Sequence, residues 1–598
     1  MKSERGEVLG VRRAWEVVVR LHQGSDWWHA WVDAENGRIL KQINWTSEAS
    51  YRVFAQPKES PLDGPLTLEV DVEDPVASPF GWHDTDGNPG AEFTDTQGNN
   101  VMAQEDTDAN NTGGRRPDGG AGLVFDFPVD LDTQQPNEYE DFAITNLFYW
   151  NNIVHDVLYH HGFDETSGNF QLNNYGNGGI GNDAVRAEAQ DGSGTNNANF
   201  GTPPDGGSGR MQMFVFLPPA VLEITSPANI ANLYRANPAA FGGEITVAGL
   251  NGSLTLVDDG TPDATQGCNP LVGFPAGNIA VIDRGSCEFG QKAINAENAG
   301  ASAVIVINNE PGNRTISMGA GAMGGQVTVP SVMIGNDNGN IIRAEFGQNV
   351  QGTIRLDSNT NINRDSDLDA GVIVHEYGHG VSNRLTGGPG NASCLFGAQQ
   401  MGEGWSDFLA LVFTAIPADE ADTPRGVGRY VIFREDDPLA GIRPAPYSRD
   451  MNINPLTYTD IITAGQPGSN ISVPHGVGTV WATALWDMYW NLVDRYGFDA
   501  DLYNGSAGNQ IALDLVMDGM KMQPCGPTFV RGRDAILMAD MVNNGGANQC
   551  EIWDAFARRG VGFSASDGGS SETLAVTPAF DLPPSCGDLI LADGFEQP

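Results

Sequence analysis

Positive charge is scarce in this chain. Its 598 residues hold 32 Lys+Arg against 76 Asp+Glu, a formal net charge of −44. A polyanion of this kind is repelled by phosphate backbones and anionic membrane surfaces, which makes nucleic acid and such surfaces poor partners. Long apolar runs are missing too. No stretch approaches the roughly 18 apolar residues that a membrane-crossing helix requires, which excludes a membrane span. Cysteine is sparse, with six residues and none before Cys268. Six is an even count, which suits a secreted chain with a few disulfides and leaves their pairing open. Cys268 and Cys287 are near neighbours in sequence, as are Cys525 and Cys550, while Cys394 and Cys586 remain. No charged-then-apolar leader opens the sequence, and Met1-Lys2-Ser3 runs straight into folded-looking sequence, so the natural N-terminus is expected upstream.

What is present is enough for more than one core. Hydrophobic residues make up 40% of the chain, and at this length several domains are expected. Residues 8–43 read as strands with a hairpin turn at Asn36-Gly37, and 44–66 as a Ser/Pro/Gly linker. Residues 81–122 and 169–210 are rich in Asp, Asn and Gly and read as surface loops, the second followed by a strand at 211–217. The spacing of Phe142, Leu147, Phe148, Ile153, Val154, Val157 and Leu158 predicts a helix over 141–159. From 218 to 356, short β-rich runs surround one helical stretch at 290–299, which predicts an inserted α/β or β-barrel unit. Helical patterns return at 366–385, 403–415, 475–496, 508–520, 531–543 and 549–558, and the tail from 564 reads as loose.

The chemistry concentrates in His375-Glu376-Tyr377-Gly378-His379. Helix positions four apart share a face about one turn apart, so both imidazoles can reach one cation, and Zn²⁺ accepts histidine nitrogen. Glu376, beside the first ligand, is placed to act on water at the metal rather than on the metal itself. A catalytic zinc needs a third protein ligand. Between Gly380 and Gly402 there is no Asp, Glu or His, and the first acidic residue is Glu403, where helical periodicity resumes. Glu403 is the candidate third ligand. Asp407, one turn on, is the candidate acceptor for the outer N–H of a ligand imidazole. His475 follows Pro474 and opens an amphipathic helix. An imidazole there can donate to the oxyanion of a tetrahedral intermediate, with a capping or core role as the competing reading. His155, His160 and His161 read as packing or surface residues. The Asp/Asn-rich loops at 84–118 offer oxygen ligands for Ca²⁺ without the pattern of an EF-hand loop.

HEYGHG followed by MGEGWSDF resembles the fungalysin family of secreted zinc metalloendopeptidases, relatives of the thermolysin-like enzymes. The similarity extends to ASPFGWHD (77–84), to 125–159, to 181–213 and to PHGVGTVWATALWDMYWNLVDRYG (474–497). Gly378 departs from the family, whose residue there is usually bulkier. The resemblance implies that His375, His379 and Glu403 are zinc ligands, that Glu376 is the catalytic base and that Asp407 orients a ligand. It also implies that His475, alone or with a neighbouring tyrosine, stabilises the oxyanion. Asn196-Asn197-Ala198-Asn199-Phe200 resembles the segment that pairs with substrate backbone, which makes Asn197 and Ala198 the expected substrate contacts; an ordinary Asn-rich turn is the alternative. Residues 218–356 resemble a protease-associated domain, within which Cys268–Cys287 would close a local loop. Residues 8–43 resemble the end of a propeptide.

The expected fold is therefore α+β: a thermolysin-like two-lobed metallopeptidase, with a mixed β N-lobe carrying the HExxH helix, a mainly helical C-lobe and an inserted protease-associated α/β domain. The expected division is 1–48 propeptide remnant, 49–217 and 357–563 catalytic, 218–356 insert and 564–598 tail. The expected activity is that of a secreted, extracellular, monomeric zinc endopeptidase acting on proteins and peptides. Its basic pro-segment would inhibit it by docking on the acidic remainder, an attraction that salt weakens. Ca²⁺ is a candidate second ion. Two rivals are a zinc-containing protein-binding module without proteolysis and a zinc aminopeptidase, for which no acidic anchor motif is recognisable.

Overall fold

The computed structural model describes residues 13–20, 27–44, 49–88, 90–313, 315–316, 318–357, 362–433, 441–466, 469 and 471–587. Expectations for 8–12, for the polar stretch at 45–48 and for 588–598 lie outside these residues. Strands β1 (Ala14–Arg20), β2 (Trp27–Asp33) and β3 (Ile39–Asn44) form an antiparallel sheet. The chain reverses between β2 and β3 through Asn36-Gly37, with Gly37 at φ 73°, a left-handed conformation that costs glycine no Cβ clash.

β4 (Ser50–Val53), β5 (Thr67–Val70), β6 (Val101–Glu105) and β7 (Val124–Phe125) follow. The linker expected at 44–66 is thus corrected: β4 pairs with β5 and β7, and Tyr51 and Val53 are fully buried. Four residues are too few to show an alternating pattern against a polar background. Helix α1 (Glu140–His160) packs on a sheet made with β8 (Val185–Ala189), β9 (Ala198–Gly201) and β10 (Arg210–Met213). Its strand order is β6-β8-β10-β9, so β9 is an edge. Both regions read as loops therefore contain strands, with Val101, Ala103, Val185 and Ala187 buried. The strand expected at 211–217 is broken after Met213, and β11 (Val215–Phe216) leaves the sheet.

Residues 220–356 form a closed barrel of β12 (Ala220–Ser226), β13 (Asn232–Pro238), β14 (Leu250–Leu256), β15 (Ile279–Asp283), β16 (Ala303–Ile307), β17 (Ser331–Ile334) and β18 (Gln351–Leu356). Helices α2 (Phe289–Asn298) and α3 (Asn336–Arg343) flank it. The barrel has its own cores, one including Leu222, Ile305 and Val332 and one including Ala293, Val304 and Met333. Its two ends meet, because Ala220 pairs with Leu356. Outside them β11 pairs with β19 (Arg364–Asp365).

The rest is mainly helical: α4 (Ala370–Leu385), α5 (Gly402–Phe413), α6 (His475–Tyr496), α7 (Gly508–Met522), α8 (Phe529–Asn544) and α9 (Gln549–Arg558). Every helix expected from apolar spacing is present. The tail up to Gly587 is not loose. Bridges join Val561 to Ala579 and Ser566 to Thr577, and Cys586 is bonded to Cys550. The other disulfides are Cys268–Cys287 and Cys394–Cys525, so the sequence neighbours Cys525 and Cys550 take different partners. Among the described residues no helix is long and apolar enough to cross a membrane.

Candidate active site

Asp369 caps α4 by accepting a hydrogen bond from Val372 N at 3.4 Å. One and a half turns on, His375 and His379 project from the same face, their rings edge-to-face with centroids 4.7 Å apart. Helix α5 lies very close to α4 at this point. A Cβ on Gly378 would sit 2.8 Å from Ser406 Cα, so the unusual glycine has a packing reason: only its bare Cα lets α5 approach so far. On the other side of α5, a Cβ on Gly478 of α6 would lie 2.3 Å from Glu403 Cβ. Two glycines thus draw three helices together around one point.

That point is defined by His375, His379 and Glu403, whose ligand atoms all lie within 4.8 Å of one another. Glu403 Oε2 is 3.2 Å from His375 Nε2, and Glu403 Oε1 is 3.9 Å from His379 Nε2. His375 Nδ1 donates to Asp407 Oδ1 at 2.7 Å, which turns the Nε2 edge of the ring toward Glu403. Two imidazoles and a carboxylate form a donor set that suits a divalent transition ion, zinc above all. Glu376 Oε2 is buried with no hydrogen-bond partner.

Burial pushes the Glu376 carboxyl up to about 7. Burial also lowers His379 to about 4. For His375 burial acts the same way, but the hydrogen bonds with Asp407 and Glu403 outweigh it and raise the ring to about 9. Glu403 is held well below the usual carboxylate range: burial opposes this, but the His375 hydrogen bond and the nearby His379 and Arg443 prevail. Burial likewise opposes ionisation of Asp407, and the Arg443 guanidinium overcomes it.

Arg443 is the residue that sequence reasoning missed. It is buried, its Nε donates to Asp407 Oδ2 at 2.7 Å, and its Nη2 donates to Asp407 Oδ1 at 2.8 Å and Glu403 Oε2 at 3.1 Å. It sits on an irregular segment with no periodic signal. The only hint was electrostatic: two buried carboxylates need a cation, and arginine is the residue that bridges two oxygens. Tyr447 Oη also donates to Asp407 Oδ2, from behind. Among the described residues no tyrosine lines the cleft itself.

His475 is the first residue of α6. Its Nε2 is 3.6 Å from Glu403 Oε1, and its side chain is 54% exposed. Partial desolvation lowers its pKa. The cleft, about 780 Å³, is lined by Asn197, Ala198, His375, Glu376, Glu403 and His475, so all the site candidates but the buried Asp407 border one space. Asn197 and Ala198 lie at the start of the edge strand β9, where Ala198 pairs with Met213 on one side only. Arg235, Asn237 and Arg284 of the barrel line the same cleft. His155, His160 and His161 serve packing: their rings meet Asp156 at 2.8 Å, Asp74 at 2.9 Å and Asp514 at 2.6 Å.

Comparison with known proteins gives the same picture. The extracellular metalloproteinase Mep of Aspergillus fumigatus is 33% identical over 567 residues, 92% of this chain and 64% of its own. Extracellular metalloproteinase 3 of Arthroderma otae is 32% identical over 580 residues, 94% of this chain and 65% of its own. The chain therefore spans just under two thirds of the length of these relatives. A solved zinc aminopeptidase from Bacillus subtilis aligns with 28% of this chain and 35% of its own at 24% identity, with a TM-score of 0.19, too slight to carry an argument. The profile of the Fungalysin metallopeptidase family matches residues 50–565, a span within which the candidate site lies, so this chain belongs to the fungalysin metallopeptidases.

Proposed function

We propose that this chain is a secreted zinc endopeptidase that hydrolyses internal peptide bonds of proteins. The observation that carries the reading is the convergence of His375, His379 and Glu403 within 4.8 Å, beside a Glu376 oxygen that is buried and unpartnered. Zn²⁺ held by His375, His379 and Glu403 would supply Lewis acidity toward water and the scissile carbonyl. Glu376 takes the proton of the attacking water and passes it to the leaving amine. Asp407 fixes the His375 tautomer, and Arg443 offsets the charge of Asp407 and Glu403. His475, at the rim of the cleft, donates to the developing oxyanion. The free side of β9 at Asn197 and Ala198 binds the substrate backbone as an added strand.

The thermolysin-like two-lobed layout is supported by the cleft's position between the sheet with β9 and helices α4 to α6. We assign 49–217 and 357–563 to the catalytic unit, 218–356 to a protease-associated insert, 564–598 to a tail and 1–48 to a propeptide remnant that inhibits by docking. The family match starting at residue 50 and the separate β1–β3 sheet favour that division. Secretion agrees with the extracellular relatives and the three disulfides. The enzyme acts as a monomer.

The test is casein digestion with and without a zinc chelator, with products mapped by mass spectrometry. Internal cleavages abolished by the chelator and restored by zinc are expected. Release of single N-terminal residues would favour an aminopeptidase, and binding of casein without cleavage would favour a binding module.

A further inference from the structure

A second group of carboxylates lies outside the active site. Asp106 follows β6, Glu188 lies on β8 and Asp191 lies in the turn after β8. The backbone brings them to one end of the sheet. Asp106 N donates to Ala189 O at 3.1 Å, Gly192 N to Asp106 O at 2.9 Å and Asp191 N to Met213 O at 2.8 Å. One oxygen from each of the three side chains lies within 4.8 Å of the others. All three residues are buried, with exposures of 2%, 1% and 2%.

The local donors do not satisfy this cluster. Asp106 Oδ1 accepts from Asn110 N and Asn111 N, both at 3.0 Å. Asp191 Oδ1 accepts from Ser193 N at 2.7 Å, and Asp191 Oδ2 from Gln212 Nε2. Glu188 Oε2 accepts no hydrogen bond at all. Its cationic neighbour, Arg210, holds Nε 3.9 Å away and is 44% exposed. The guanidinium spends its other nitrogens on Asn111 Oδ1 and on Gln212 Oε1, the latter at 2.9 Å. One loose arginine therefore faces three buried carboxylates. Buried carboxylates persist when they are paired or coordinate a cation.

We propose that Asp106, Glu188 and Asp191 form a binding site for a hard divalent cation, Ca²⁺. Every donor in the cluster is oxygen, which selects against zinc and for an alkaline-earth ion. The ion would fasten the end of β6 to the turn after β8. That turn runs directly into Asn196-Asn197 and the edge strand β9, so the same ion would hold the substrate-facing edge in place. Asp106 falls in the Asp/Asn-rich region that the sequence marked as calcium-capable. Glu188 and Asp191 lie more than 80 positions further on, and only the parallel pairing of β6 with β8 unites them.

The experiment uses the zinc-loaded full chain freed of other divalent ions, with zinc content checked throughout. Calcium binding is followed by calorimetry and by Tm in the presence of Ca²⁺, Mg²⁺ or neither. Saturating Ca²⁺ should raise the wild-type Tm by about 3 °C or more. Glu188→Gln should lose one calcium equivalent and that rise, at unchanged zinc content. Without added ion the order should reverse: Glu188→Gln removes one of three repelling charges and should melt above the wild type. Asp191→Asn serves if Glu188→Gln does not fold. The proposal is overturned if the wild type takes up no calcium, if Glu188→Gln responds to it equally, or if Mg²⁺ stabilises more than Ca²⁺. A wild type that melts above Glu188→Gln without any ion would also overturn it, because the carboxylates would then be satisfied by the protein alone.

Discussion

Arg443 and Asp407 are joined by two hydrogen bonds, Nε to Oδ2 at 2.7 Å and Nη2 to Oδ1 at 2.8 Å, with both side chains buried. The same Nη2 reaches Glu403 Oε2 at 3.1 Å. One guanidinium thus contacts both Glu403, a proposed zinc ligand, and Asp407, which orients another.

Arg443→Ala should therefore lower stability by about 3–5 kcal/mol, because it leaves a buried carboxylate uncompensated. Arg443→Lys should recover only part of the loss, since an ammonium cannot bridge two oxygens in a fork. Thermal melting with zinc analysis measures both. An Arg443→Ala protein that melts with the wild type would mean that Asp407 has another counter-charge.

Glu376→Gln should keep fold and zinc and lose kcat by several orders of magnitude. The carboxamide fills the same volume but accepts no proton from water. Retention of more than about a tenth of wild-type kcat would remove Glu376 from the role of base.

Glu403→Ala should lose zinc along with activity, because it deletes one of three ligands. Asp407→Ala should lower zinc affinity by about 10–100-fold, since it only orients His375. Zinc content after dialysis against graded chelator separates the two variants. Equal retention by Glu403→Ala and wild type would require a different third ligand.

These site residues differ in how readable they were. The His375/His379 pair was legible because a helix turns spacing into proximity. Glu403 was legible because the preceding stretch offers no other acidic residue or histidine. Arg443 was not, because it is placed by a loop whose path no periodicity records. Edge strand β9, inside an Asn/Gly-rich stretch, was reached through the family resemblance and not through periodicity, since a strand half exposed at a cleft needs no apolar alternation. Likewise β4 is only four residues long, too short for a period to show, yet Tyr51 is fully buried against Phe125 and His83. The longer helices, with more regular apolar faces, were read almost to their ends, whereas the eight-residue α3 of the barrel was missed.

His83 should make the protein acid-sensitive. It is buried, stacked on Phe125 and Phe148 at 5.2 and 5.0 Å, with Nε2 2.8 Å from Tyr51 Oη. Burial pushes its pKa from 6.5 down to about 4. Between those values the unfolded chain binds the proton and the folded one does not, so stability falls as pH falls from about 6.5 to 4. A shift of that size amounts to at most about 3 kcal/mol. His83→Gln should melt lower than wild type at pH 7, from lost stacking, but should lose less on acidification. Parallel Tm curves for the two proteins across that window would show that His83 is not the sensing group.

Removal of the barrel should leave an active enzyme with altered substrate binding. Ala220 pairs with Leu356, and β11 pairs with β19 just outside, so a short Gly/Ser linker can join the flanks without moving them. None of the proposed catalytic groups lies in 218–356. Yet Arg235, Asn237 and Arg284 line the same cleft as the proposed catalytic residues, and Arg235 Nη2 donates to Ile432 O at 3.0 Å. The deletion should therefore act on KM more than on kcat, and more on folded protein substrates, which reach further along the cleft, than on short peptides. Kinetics on one peptide and one folded substrate measure this, with kcat on the peptide expected to stay within about ten-fold of wild type. A well-folded deletion protein without zinc or peptide hydrolysis would mean that the barrel helps to build the site rather than to wall it.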